Sequence, residues 1–139
     1  MPKKTIVRKK RNEKGNVDRM IFVNFSNHAS CNWSQEQLCE AGKYGEIIDL
    51  PFPSVPAEME EEGIACLADK CVEKIMASSQ GTAPAAVMCQ GEFTLAFAVT
   101  KRLRKMNIPV VAACSERIAE VKDGAKISVF RFRRFRCYE

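Results

Sequence analysis

Apolar residues fall along this chain in two kinds of run, short continuous blocks and longer stretches of helical spacing. Met20-Ile21-Phe22-Val23-Asn24-Phe25, Ala85-Ala86-Val87-Met88-Cys89 and Ile108-Pro109-Val110-Val111-Ala112-Ala113 are too short for helices and predict strands buried on both faces. Glu46-Ile47-Ile48-Asp49-Leu50 predicts a further strand, stopped by Pro51, Pro53 and Pro56. Between them, Ser34 with Gln37 is a capping-box pattern that opens a short helix ending near Gly42 or Gly45. Ile64, Leu67, Ala68, Cys71, Val72 and Ile75 share one face of a helix over 59–76. Leu95, Val99, Arg102 and Leu103 recur at helical spacing, and the basic end at Lys101, Arg102, Arg104 and Lys105 suits a helix C-terminus. Asp123-Gly124 signals a turn, and Ile127 to Phe135 alternates, with a slip after Val129, as an antiparallel or edge strand would. The order β-α-β-α-β-α-β-β predicts a three-layer α/β sandwich with a mostly parallel sheet.

Composition narrows the class. At 139 residues, 46% hydrophobic and 28% charged, the chain fits one domain, placed at 20–139. No apolar run reaches the length of a membrane span, and no apolar segment follows the basic N-terminus as in a secretory signal. The seven cysteines are odd in number and form no CxxC, which predicts reduced, mostly buried thiols in a cytoplasmic protein, with Cys66, Cys71 and Cys89 on apolar faces. His28 is the sole histidine and no ligand spacing fits zinc, so neither a metal nor a cofactor is expected. The net charge of +5 is uneven: Lys3, Lys4, Arg8, Lys9, Lys10, Arg11, Lys14 and Arg19 against Glu13 and Asp18 give residues 1–19 a net of +6. That segment reads as a flexible tail, either a weak nucleic-acid contact or a solvated extension.

Three strand ends would meet at one edge of such a sheet: Asn24-Phe25-Ser26-Asn27-His28, Gln90-Gly91-Glu92-Phe93-Thr94 and Cys114-Ser115-Glu116-Arg117. They offer hydroxyls, amides, an imidazole, a guanidinium and a helix N-terminus, an inventory suited to a phosphorylated ligand. Gly91 would let that ligand approach the backbone, and Arg117 is the cation a phosphate needs. His28 is either a general acid or base or a hydrogen-bond donor, and Glu92 is either a cap or a catalytic carboxylate. Cys114 reads as a structural thiol rather than a nucleophile. The Arg131–Arg136 cluster with Phe130, Phe132 and Phe135 either stacks on RNA or guards an edge strand. Neither GxGxxG nor GxxxxGK[ST] occurs, against ordinary dinucleotide and P-loop binding.

The segments MIFVNFSNH, AVMCQGEFT with its following helix, and IPVVAACSER resemble small stand-alone proteins of the CRISPR-associated Rossmann fold (CARF) type. The resemblance covers about Met20 to Tyr138 and implies a Rossmann-like homodimer that binds a cyclic oligoadenylate, cyclic tetra-adenylate above all, across its two-fold axis. It further implies metal-independent ring cleavage by attack of a ribose 2′-OH, which ends type III CRISPR signalling, or else sensing of the ring without cleavage. Carried onto this chain, it implies Ser26, His28 and Arg117 as catalytic residues. Asn24, Asn27, Gln90, Gly91, Glu92, Phe93, Thr94 and Ser115 would hold the ligand. Where many ring-cleaving members carry a lysine or arginine near the helix start, this chain has Glu92 and Thr94.

Overall fold

The computed structural model describes residues 20–139; the basic segment 1–19 lies outside the described residues. Five strands join one sheet: β1 (Ile21–Phe25), β2 (Glu46–Leu50), β3 (Ala86–Cys89), β4 (Val110–Lys122) and β5 (Ala125–Cys137). A 3-10 turn at Ser30–Asn32 precedes α1 (Gln35–Gly42); α2 (Glu61–Ser78) and α3 (Phe93–Lys105) are the other helices. The spatial order is β2-β1-β3-β4-β5, the first four strands parallel and β5 antiparallel to β4. This is the doubly wound, Rossmann-like α/β arrangement that the strand–helix alternation predicts.

The core has two sides, as a doubly wound sheet requires. Ile21, Val23, Phe25, Val87 and Val110 point to one side, where Ala68, Cys71 and Ile75 of α2 and Leu95, Val99 and Leu103 of α3 cover them. Phe22, Met88 and Val111 point to the other, where Ala41 of α1, Trp33 and Tyr44 pack. That second layer is aromatic: the Phe22 ring lies 5.4 Å from Tyr44, 5.2 Å from Phe135 and, edge-on, 6.3 Å from Trp33. Ser34 caps α1 by accepting from the Gln37 amide, as its pattern predicts.

The fourth strand departs from the expectation. Its apolar block ends at Ala113, yet β4 continues through Cys114-Ser115-Glu116-Arg117 to Lys122. Asp123 and Gly124, both at positive φ, then make the two-residue hairpin turn that matches strand twist. Backbone pairing with β5 sustains the extension where burial no longer does. The eight residues Ser115–Lys122 therefore carry an arm about 27 Å past the edge where β1 and β3 end. The slip in β5 also falls elsewhere. Ile127 and Val129 share one face and Phe130 and Phe132 the other without interruption, and the register shifts opposite Cys114/Ser115 instead. That bulge turns both Phe132 and Phe135 inward, their rings 5.0 Å apart.

All seven cysteines are free, but only Cys71 and Cys89 are buried, so the expectation of mostly buried thiols is corrected: Cys31, Cys39, Cys66 and Cys137 are exposed, Cys66 facing outward from α2. Burial pushes the Cys89 thiol up to about 11, which makes it an unreactive packing group.

Candidate functional site

The switch point of this sheet lies between β1 and β3. The chain leaves β1 toward the α1 layer and leaves β3 toward the α3 layer, which opens a crevice at their C-terminal ends. Two cavities occupy this edge and meet at Asn27 and His28. One, of about 380 Å³, is lined by Asn27, His28, Gln90, Gly91, Phe93, Ala96 and Tyr138. The other, of about 730 Å³, lies between the loop after β1 and the base of the arm; Asn27, His28, Asn32, Trp33, Ser34 and Gln37 face Ser115, Phe130 and Phe132 across it.

A buried polar knot holds the loop that carries His28. Asn24 is 1% exposed; its Nδ2 donates to the His28 carbonyl at 2.8 Å and to Asp49 Oδ1 at 2.8 Å. The Ser26 hydroxyl donates to Asn24 Oδ1 at 2.6 Å and accepts from the His28 amide at 3.2 Å. Trp33 Nε1 donates to the His28 carbonyl at 3.0 Å, and Asp49 accepts from the Ser30 amide and hydroxyl. Every buried polar side-chain atom among the described residues has a partner. The backbone of His28 is thus fixed, while its imidazole, exposed, has no hydrogen-bond partner among the described residues.

Six of the residues singled out in the sequence line these cavities: Asn27, His28, Gln90, Gly91, Phe93 and Ser115. Five do not. Asn24 and Ser26 are buried in the knot and act on the ligand edge only through the loop. Glu92 caps α3, its Oε2 accepting from the Leu95 amide at 2.8 Å and the Thr94 hydroxyl at 2.6 Å. The cap places a carboxylate where a phosphate would sit, so the helix N-terminus is not a vacant anion site. Thr94 lines a separate hollow with Met59, Glu61 and Ile64. Arg117 stands on the arm, two residues beyond Ser115, and its guanidinium donates to Ser128 Oγ at 2.9–3.0 Å. Expecting Arg117 at the strand end assumed that β4 stopped where its apolar block stops.

Gly91 has a different reason from the expected one. A Cβ there would lie 2.4 Å from the Phe52 ring, which packs over the glycine and lies 4.8 Å from Phe25. The glycine makes room for an aromatic side chain while its backbone lines the smaller cavity. Gln90 is partly committed as well, since its Oε1 accepts from the Ala113 amide at 2.7 Å and ties β3 to β4.

Sequence reasoning missed Asp49, Tyr138, Asn32 and Gln37. Asp49 pairs in register with Asn24, and Tyr138 reaches across β4 to donate to the Cys89 carbonyl at 3.3 Å. No local pattern in Glu46-Ile47-Ile48-Asp49-Leu50 marked Asp49, whose role depends on pairing with β1. Nor did any mark Tyr138. Burial and the neighbouring thiols push its phenol above the usual tyrosine range, so it stays a donor at neutral pH.

A hydrogen bond from Thr94, then the Leu95 and Thr94 amides, holds the Glu92 carboxyl below the usual glutamate range. Its stabilising contribution is therefore full above that range and is lost as pH falls through the lowered value. Glu92→Ala lowers the melting temperature at neutral pH, and thermal melts at successive pH values show the gap from the parent protein closing on acidification. A gap independent of pH would mean that the carboxylate charge plays no part in the cap.

The family model for the uncharacterized protein MJ1673 family matches residues 20–136. The chain belongs to the MJ1673 family. The match spans β1 to β4, all of β5 but Cys137, and every residue lining the two cavities except Tyr138. No curated protein and no solved structure matches the chain. Among the described residues, no group of three His, Cys, Asp or Glu side chains comes together to hold a metal, and no helix is long and apolar enough to cross a membrane.

Proposed function

We propose that this protein binds a cyclic oligoadenylate in the paired cavities at its sheet edge and acts as a sensor of that ring in the cytoplasm. The observation that carries the reading is the meeting of the two cavities at Asn27 and His28, over a crevice lined by amides and aromatic rings. Asn27, Asn32 and Gln37 present donors and acceptors for base edges and ribose hydroxyls, and Trp33, Phe130 and Phe132 supply apolar walls. The CARF resemblance supplies the ligand class and the homodimer, in which two such edges would face one ring.

Binding is favoured over cleavage because neither cavity is lined by a lysine or arginine among the described residues. With Ser26 buried and Arg117 on the arm, His28 alone is placed to move a proton at the ligand. In-line attack by a 2′-OH needs charge stabilisation at the phosphate that one imidazole supplies only in part.

Incubation of the full chain with cyclic tetra-adenylate in EDTA tests the reading, with calorimetry for binding and chromatography for products. Tight binding without linear products is expected, weakened by Asn27→Ala. Linear products that disappear in His28→Ala would replace the sensor with a ring-cleaving enzyme. Absence of binding to cyclic tri-, tetra- and hexa-adenylate alike would remove the ligand class.

A further inference from the structure

A second groove runs along the outer side of α3, away from His28. Helix α3 lies over β3 and β4, and the hollow between its flank and the end of β5 is about 490 Å³. Phe97, Lys101, Arg104 and Lys105 line it from the helix, and Tyr138 and Glu139 from the C-terminal end. Pairing in register places Arg136 opposite Ala112 and Arg134 opposite Cys114. Alternation from buried Val110 puts both arginines on the α3 side of the sheet, the side from which Tyr138 reaches Cys89. Successive cations on that strand stand about 7 Å apart.

The groove combines exposed rings with unpaired cations. Phe97 is 71% exposed, and Tyr138, whose hydroxyl donates to the Cys89 carbonyl, is 41% exposed. Lys101, Arg104, Lys105, Arg134 and Arg136 form no ion pair among the described residues, whereas Arg102 and Arg133 are held by Asp69 and Glu116. Helix-end electrostatics accounts for cations at 104 and 105, but not for arginines on the facing strand. Lys101, Arg104 and Lys105 line the groove against the single carboxylate side chain of Glu139, and Arg134 and Arg136 flank it on the same side of the sheet. A protein partner would have to be unusually acidic and apolar together. A single nucleic-acid strand meets both demands, phosphates along the cationic rails and bases on the exposed rings.

From this geometry we infer that the α3–β5 groove binds single-stranded nucleic acid through its phosphodiester backbone, with bases stacked on Phe97 and Tyr138. The site is separate from the paired cavities, although Tyr138 borders both the groove and the smaller cavity. Its ligand is an open strand rather than a ring.

Fluorescence anisotropy with labelled oligouridylate, oligodeoxythymidylate and a DNA duplex, over a series of salt concentrations, tests the inference on the full chain. Both single strands bind more tightly than the duplex. Arg134→Ala with Arg136→Ala reduces the slope of log affinity against log salt by about 1.4, since each phosphate contact to a single strand contributes about 0.7. Phe97→Ala, at an exposed position, weakens single-strand binding about 5- to 100-fold and leaves the melting temperature unchanged. Lys122→Ala with Lys126→Ala removes the same charge from the arm tip and leaves single-strand binding unchanged. An equal loss in the tip variant would assign the affinity to general charge, including that of residues 1–19, and overturn the inference. So would duplex preference, absence of single-strand binding, or an unchanged affinity in Phe97→Ala. If Phe97→Ala instead converts a dimer to monomer in sedimentation without changing affinity, the face belongs to a second copy and the inference falls. Where Phe97→Ala sediments as the parent does, its cyclic tetra-adenylate binding is unaffected, which keeps this result distinct from that of the paired cavities.

Discussion

Replacing Phe22 with alanine lowers the unfolding free energy by about 3–5 kcal/mol, the range for deleting a buried phenyl ring. The upper half of that range is expected because the surroundings cannot close over the void. Phe22 is fully buried on a central strand, and its ring touches Trp33, Tyr44 and Phe135 from three different segments. Among the described residues, the only α-helix on this side of the sheet is α1, eight residues long, with Ala41 as its single buried residue. Urea denaturation measures the loss as a shifted midpoint at constant slope. Phe135 and Trp33 also join the arm and the loop after β1 to this ring, at 5.2 and 6.3 Å. The variant should therefore show faster proteolysis within β5 under conditions where the parent resists. A stability loss below about 1 kcal/mol would mean that the aromatic layer repacks, and that the larger cavity does not depend on it.

Asn24→Ala is expected to cost about 2–3 kcal/mol, and to weaken ligand binding beyond what that loss explains. Its amide bonds the His28 carbonyl and the Asp49 carboxylate, and its carbonyl accepts the buried Ser26 hydroxyl. The bond to the Asp49 carboxylate and the loss of the short bond that the buried Ser26 hydroxyl donates account for most of the loss. Trp33 Nε1 still holds the His28 carbonyl, so the loop loosens rather than unfolds. Denaturation and cyclic tetra-adenylate titration on the same variant separate the two effects. Loss of stability with unchanged affinity would show that the knot supports the sheet alone.

The contrast between these two positions shows how far the chain could be read without its fold. Phe22 lies in an unbroken apolar block, and its burial follows from that pattern together with the short length of the run. Asn24 lies in the same block, but its partners are 4 and 25 residues away, and no local pattern names Asp49. The helix caps lie between these cases. Ser34 was legible because capping is local, and Glu92 was legible as a cap or an acid without a decision between them. Only the 2.8 Å bond from the Leu95 amide decides it.

The amino-acid order determined what short-range physics can encode: the strands of the parallel layer, the three helices, the turn at Asp123-Gly124, and with them a doubly wound α/β sandwich. It also determined that Asn27, His28 and Gln90 belong to one sheet edge, because the ends of parallel strands share a side, whereas Ser115 faces that edge from within β4. Tertiary structure alone decided how far β4 runs, since pairing with a strand later in the chain replaces burial as the force that keeps Ser115–Lys122 extended. That one extension moved Arg117 onto the arm and made Phe130 and Phe132 a cavity wall. Long-range pairing depends on where two distant segments meet, and no window of neighbouring residues contains that information.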